Sequence, residues 1–389
     1  MKQKLLITIC AVFFSFFVFS QERKEYKSWN PTSDPLNVVE GQAWPHEVKN
    51  YYDRLPARAE GFVRKPLWDL SQNSAGLQLR FTSNASQIIV KYIVTGSLQM
   101  PHMPATGVSG IDLYAKSKKG KWLWAAGKYS FGDTITYRFT NLSPEKREYT
   151  LYLPLYNTVK WMEIGVPLKN IFEPRPARNE KPIVVYGTSI TQGACASRPG
   201  LAWTNILGRR LNTPVINLGF SGNGRLEKEL IDLLIEIDAG IFVFDCLPNM
   251  TAGYISSTEL KRRIVNVANQ VQSKKPNTPM LFTEHGGYTE GEINPAKKKE
   301  YTDVNNALKE VFDSLSRKKI KNIYLLSKDE IGQGIEDMVD GTHPNDIGMM
   351  HYANAYEKKI KKIWKGPVVN NTKSILKKDK PSPIPLPVK

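Results

Sequence analysis

The spacing of hydrophobic residues changes once along this chain, and that change limits it to two kinds of structure in series. From Gly76 to Val166 apolar and polar residues alternate, as with Leu77, Leu79 and Phe81 in "GLQLRFTSN". The runs "QIIVKYIVTG", "TITYRFTN" and "YTLYLPLYNTVKWMEIGV" follow in the same rhythm. A period of two sends alternate side chains to one face of a strand. Short β-branched and aromatic runs broken by Gly, Asn and Ser therefore predict an antiparallel β-sandwich. Between two of these runs, Lys118-Lys119-Gly120-Lys121 has the composition of a hairpin turn. The four prolines of "PLKNIFEPRPARNEKP", Pro167 to Pro182, then interrupt the pattern and read as a linker.

Beyond the prolines, apolar runs at "IVVYG", "PVINLGF", "GIFVFDCL", "PMLFTEH" and "NIYLLS" are separated by helical segments. Two of these are "RLEKELIDLLIEID" and "SSTELKRRIVNVANQVQ", the latter opening with Ser256 and Glu259 at capping-box spacing. Five such units predict a mostly parallel sheet with helices on both faces. In that architecture, sites form beyond the carboxyl ends of the strands.

The two ends of the chain have their own character. Lys2 and Lys4, an apolar run from Leu5 to Phe19 and Ser20 have the layout of a secretory signal peptide over residues 1–20, removed before Gln21. Export to the periplasm or the exterior is expected, and no later stretch is long and apolar enough to span a bilayer. The net charge is +17, but ten lysines against Glu357 and Asp379 place about half of it between Glu357 and Lys389. Residues 366–389 are rich in Pro and Lys and read as a disordered basic tail, not as a groove that recognises nucleic acid. The expected order is a signal peptide (1–20), a sandwich (21–166), a linker (167–182), an α/β domain (183–365) and the tail (366–389).

Chemistry is sought where the strands end. Ser189 follows the first α/β strand in "VVYGTSITQG", a position that suits either a nucleophile or a helix cap. A serine nucleophile needs a base, and the base needs an orienting acid. Of five histidines, His46 and His102 lie in the first half and His351 in the last helix. His343 follows Asp340 by three residues in "DGTHPND", a spacing that lets one turn hold the carboxylate against the ring. Oxyanion donors are available as the N–H of Gly222 in "NLGFSGNG" and the amide of Asn249 in "DCLPNM". Glu284 and His285 in "FTEHGGY" either line the crevice as substrate contacts or close a strand at a glycine turn. Trp122 and Trp124 face the same way and serve either core packing or sugar stacking. No spaced set of ligands marks a metal site, and no cofactor is expected.

Taken in order, these blocks resemble the SGNH hydrolases, the superfamily that includes the GDSL esterases, over roughly Lys181 to Trp364. "GTSITQG" stands for the Gly-Asp-Ser-Leu block, with Thr188 in place of its Asp. "NLGFSGNG" stands for the glycine block, "LPNM" for the Gly-x-Asn-Asp block without its flanking Gly and Asp, and "DGTHPN" for the Asp-x-x-His block. "GIDLY", Gly110 to Tyr114, resembles the Gly-x-Asp-Leu-Tyr motif of a β-sandwich that precedes secreted SGNH esterase domains. The resemblance implies a flavodoxin-like α/β/α domain with a five-stranded parallel sheet, preceded by a jelly-roll-like sandwich. It further implies Ser189 as nucleophile, His343 as base, Asp340 as its orienting acid, and an oxyanion hole of Ser189, Gly222 and Asn249. The activity implied is removal of small acyl groups, acetyl above all, from polysaccharides or oligosaccharides. The sheet order implied by the family makes strands one and three neighbours, so Cys195 and Cys246 either pair as a disulfide or stay two buried thiols. A non-catalytic carbohydrate binder on the same scaffold is the alternative, and a surface-binding protein acting through its tail is another. The intact Ser, His and Asp favour the enzyme.

Overall fold

The computed structural model describes residues 25–364; the expected signal peptide and basic tail lie outside them. In the second half, strands β1 (Ile183–Gly187), β2 (Val215–Gly219), β3 (Ile241–Asp245), β4 (Met280–Thr283) and β5 (Ile323–Leu326) pair in the order 2-1-3-4-5, all parallel. Every residue of β1, β2 and β3 is buried, as a parallel sheet covered on both faces requires. Seven helices follow the strands: α1 (Ser189–Gln192), α2 (Trp203–Leu211), α3 (Lys228–Leu234), α4 (Ser257–Lys274), α5 (Pro295–Arg317), α6 (Lys328–Ile331) and α7 (Asp346–Ile363). Val184 and Tyr186 of β1 pack with α3, α4 and α5 on one face. Ile183 and Val185 pack with α2 and α7 on the other. Ser256 caps α4 by accepting from Glu259 N–H, the half of the expected box that the structure shows.

The first half is a sandwich of two antiparallel sheets. One sheet holds strands 26–29, 159–167, 88–94, 135–139 and 128–130, in that spatial order. The other holds 172–175, 78–83, 147–152, 112–116 and 122–125, with 39–40 added to 78–83. Inward residues such as Leu79, Phe81, Val90, Leu113, Leu151 and Ile164 form the core between them. The expected hairpin turn is present, with Gly120 at φ +77° and its N–H on Ser117 O. One expectation needs correcting. The stretch 167–182 is not only a linker, because Phe172–Arg175 joins the sheet as its edge strand. Pro174 is tolerated there since an edge strand has one side that pairs with nothing.

The alternating pattern gave no sign of how the first half meets the second. Trp44, Leu55, Ala59, Val63, Leu67 and Trp68 precede the sandwich pattern, yet they lie in the same buried cluster as α3, α4 and α5. Arg54 is fully buried between the halves. Its guanidinium donates to the carbonyls of Asn217 and Gly219 on β2 and to those of Leu70 and Asn73 on its own side.

The Gly-x-Asp-Leu-Tyr motif is a second fastening. Asp112 accepts from Gly200 N–H at 2.9 Å, from the Arg198 guanidinium and from Trp124 Nε1. Tyr114 Oη accepts from Arg198 at 2.7 Å. Gly200 cannot carry a side chain, since a Cβ there would lie 2.4 Å from the Tyr114 ring. Trp124 is half exposed, bonded to Asp112 and stacked against Arg198 at 4.2 Å, so it does not pack in a core. Asp112→Ala leaves a guanidinium and a backbone N–H facing a buried gap, and should cost about 3 kcal/mol of unfolding free energy. Denaturant titration checks this, and an unchanged midpoint would show that the fastening carries no stability.

Candidate active site

Small residues bring α1 down onto the ends of the strands. A Cβ on Gly187 would lie 2.0 Å from Thr191 Oγ1, and one on Gly219 would lie 2.2 Å from Gln192 N. Thr188 caps α1 by accepting from Ile190 N–H, a task that threonine performs nearly as well as the aspartate of the related block. Ser189 is then the first residue of the helix, 7% exposed, with its hydroxyl 2.8 Å from His343 Nε2. His343 Nδ1 lies 2.7 Å from Asp340 Oδ2. The other oxygen, Asp340 Oδ1, accepts from the N–H groups of Thr342 and His343 at 3.1 and 2.8 Å. With Nδ1–H donating to Asp340, Nε2 is left to accept the serine proton. Partial burial pushes the Asp340 carboxyl up, but the bonds from the His343 ring and backbone outweigh it and hold it below the ordinary carboxylate range.

The two candidate oxyanion donors sit on neighbouring loops. Gly222 takes φ +67° in a turn where Asn223 and Gly224 N–H both bond Phe220 O. A Cβ at Gly222 would meet nothing within 4 Å, so the residue faces open space and its glycine is required by the backbone angle. Gln192 of α1 accepts from Ser221 N–H and donates to Asn73 Oδ1 and Leu155 O, so one side chain joins α1 to this loop and to the first half. Asn249 ends a short turn after β3 and is 6% exposed. With its amide assigned the orientation in which oxygen meets N–H, Asn249 Oδ1 accepts from Asn223 and Gly224 N–H at 3.1 and 3.2 Å, and its NH2 edge then lies on the side away from that loop.

Glu284 and His285 do not line the crevice. They are 3% and 1% exposed and lock the end of β4 to the helices behind it. Glu284 accepts from Lys328 N–H at the start of α6 and pairs with Lys309 of α5. His285 exchanges two hydrogen bonds with Asn305 of α5, and its Nδ1 accepts from Gly287 N–H. Burial, with Lys297 adding to it, pushes the His285 ring down from 6.5 to about 3. The unfolded chain therefore binds the extra proton first, so this residue's stability is complete above pH 6.5 and is lost as pH falls towards 3. The slope is about 1.4 kcal/mol per pH unit in that window. His285→Gln should flatten the decline in stability between pH 6.5 and 4, whatever its effect at pH 7; an unaltered slope would place the titration elsewhere.

Cys195 and Cys246 are both buried free thiols, so the disulfide alternative is corrected. Strands β1 and β3 are neighbours as expected, but the two side chains point apart. Cys195, at φ +67°, donates to His102 O in the first half at 3.4 Å. Cys246 is turned under β1 and donates to Tyr186 O at 3.5 Å. Burial, with the Asp340 charge adding to it, pushes the Cys195 thiol up to about 12.

One neighbour of the site went unnoticed in the sequence. Met100 and Met103 exchange two backbone hydrogen bonds, forming a tight turn with His102 at its tip. Met103 is buried in the core of the second half, and Thr106 Oγ1 donates to Ser197 O in the loop after α1. The His102 ring thus stands 5.9 Å from that of His343, a contact across more than two hundred residues that no local pattern signals.

Comparison with known proteins yields a consistent picture. Residues 180–361 match the GDSL-like lipase/acylhydrolase family, and residues 26–172 match GxDLY, the N-terminus of SGNH-hydrolase-type esterases. Among solved structures, a GDSL-like lipase from Bacteroides ovatus is 34% identical, with a TM-score of 0.80 over 88% of this chain and 99% of that one. A salicylyl-acyltransferase from a tetracycline biosynthetic pathway is 16% identical, with a TM-score of 0.69 over 87% of this chain and 97% of that one. A family two carbohydrate esterase from Cellvibrio japonicus is 12% identical, with a TM-score of 0.57 over 87% and 98%. The last two show likeness of fold alone. No curated protein matches the sequence.

Proposed function

Because the chain belongs to the GDSL-like lipase/acylhydrolase family, we propose that it is an exported serine esterase removing small acyl groups, acetyl above all, from carbohydrates. The observation that carries the reading is the continuous line from Ser189 Oγ to His343 Nε2 and from His343 Nδ1 to Asp340, at 2.8 and 2.7 Å. Both lie within the range a nucleophile and its base need.

In this reading Ser189 Oγ attacks the ester carbonyl as its proton passes to His343 Nε2. The imidazolium is stabilised by Asp340, whose carboxyl stays ionised. The negative charge on the former carbonyl oxygen is met by the N–H groups of Ser189 and Gly222 and by the Asn249 amide. His343 then protonates the departing sugar oxygen, and water repeats the sequence to free the acid. The resemblance in fold to a carbohydrate esterase supports a sugar as the alcohol part. Among the described residues no helix is long and apolar enough to cross a membrane.

Hydrolysis of an aryl acetate, followed by acetate release from a panel of acetylated glycans, tests both levels of the proposal. No turnover of any aryl ester would remove the esterase reading. Turnover of aryl esters without acetate release from any glycan would remove only the carbohydrate.

A further inference from the structure

We propose that His102, Cys195 and His343 form an inhibitory site for a borderline-soft divalent cation, with zinc as the probe, so that metal and substrate chemistry compete for one nitrogen. One donor atom from each residue lies within 4.8 Å of the other two. They come from three separate segments: the tip of the Met100–Met103 turn, the loop after α1 and the loop before α7.

The segments that carry the donors are already in contact, with the His102 and His343 rings 5.9 Å apart. Cys195 Sγ points at the His102 backbone, to which its thiol donates. The His102 ring is exposed, on a turn whose backbone is fixed by two hydrogen bonds, so the ring rotates while its Cα stays. His343 is arranged as a metal-bound histidine usually is, with Nδ1–H given to a carboxylate and Nε2 directed away from it. The hydrogen bond that orients His343 as a base therefore also suits it as a ligand.

Tetrahedral zinc holds nitrogen and sulfur ligands about 3.4–3.6 Å apart, from bonds of about 2.0–2.3 Å. The present spacing of at most 4.8 Å closes to that by movements of about 1 Å, shared among the three side chains, with the exposed His102 ring the freest to turn. A donor set of two imidazoles and one thiol selects zinc and its neighbours over magnesium or calcium, and leaves a fourth position for water. On binding, the Cys195 thiol proton leaves to solvent as the metal–sulfur bond forms. The Nε2 lone pair goes to the metal, and the Ser189 hydroxyl loses its acceptor.

The inhibition rests on the esterase reading, whereas the binding does not, and the experiment has an arm for each. In the first arm, zinc is titrated against aryl acetate hydrolysis by the full mature chain, with His102→Ala and Cys195→Ser alongside. Wild type should lose at least about nine-tenths of its rate and recover it on chelation. Each variant should keep its zinc-free rate and need about ten- to a hundredfold more zinc. Wild type unaffected by millimolar zinc, or variants as sensitive as wild type, would overturn the site. In the second arm, Ser189→Ala protein is titrated with cobalt(II) and the thiolate-to-metal absorption in the near ultraviolet is read. A band at one cobalt per chain that vanishes in the Ser189→Ala/Cys195→Ser double variant supports the site even in a protein with no ester turnover. A missing band, or one that survives loss of the thiol, overturns it.

Discussion

Ser189→Ala should abolish ester turnover, with a fall in kcat of roughly four to six powers of ten, while the unfolding midpoint stays where it was. The activity goes because no other hydroxyl lies against His343 Nε2 among the hydrogen bonds of the described residues. The fold stays because the change removes one hydroxyl and its single side-chain hydrogen bond while leaving the rest of the small buried side chain in place. His343→Ala should fall in the same range. Asp340→Asn is the more instructive change. Asn Oδ1 can keep both backbone bonds, but its NH2 would then face His343 Nδ1. That forces the proton onto Nε2, where it blocks acceptance from Ser189, and a loss of about ten-thousandfold follows from the wrong tautomer. Single-turnover assays on an aryl acetate measure all three. A Ser189→Ala protein retaining most of its rate would falsify the mechanism.

Asn249→Ala should lower kcat by about a hundred- to a thousandfold and leave KM nearly unchanged. The split between kcat and KM matters because Asn249 has two tasks. Its oxygen holds the Asn223 and Gly224 N–H groups, and so helps fix the loop that carries Gly222. Its NH2 edge is the proposed donor to the oxyanion. Asn249→Asp keeps the first task and loses the second, so it should be at least as slow as Asn249→Ala. An aspartate variant close to wild type would mean that Asn249 acts through the loop alone.

The parts of the site carried by short blocks were legible in the sequence. Asp340 and His343 are three residues apart, and one turn joins them. Ser189 follows a strand whose apolar run is unmistakable, and the sheet order brings its loop beside that of Asn249. Illegible were features fixed by contacts between distant segments. A polar pair at the end of a strand reads the same whether it faces solvent or a helix, and Asn305 of α5 decided it for His285. Likewise, neighbouring strands place two cysteines near each other without saying which way they point. Arg54, His102 and the residues from Trp44 to Trp68 act across the two halves, where no periodicity reports on them.

The packing of Trp44, Leu67 and Trp68 against α3, α4 and α5 has a consequence for how the chain can be divided. A cut in the proline-rich stretch looks natural on paper, since it separates two folds found by different patterns. It would strip an apolar face from the catalytic half and remove Arg54 from beneath the carbonyls of β2 and the ring of Phe220. The catalytic half is therefore not a portable cassette. A chimera that takes its hydrolase from this chain has to inherit residues 44–75 with it, and a graft that places them on a foreign sandwich must re-create both fastenings.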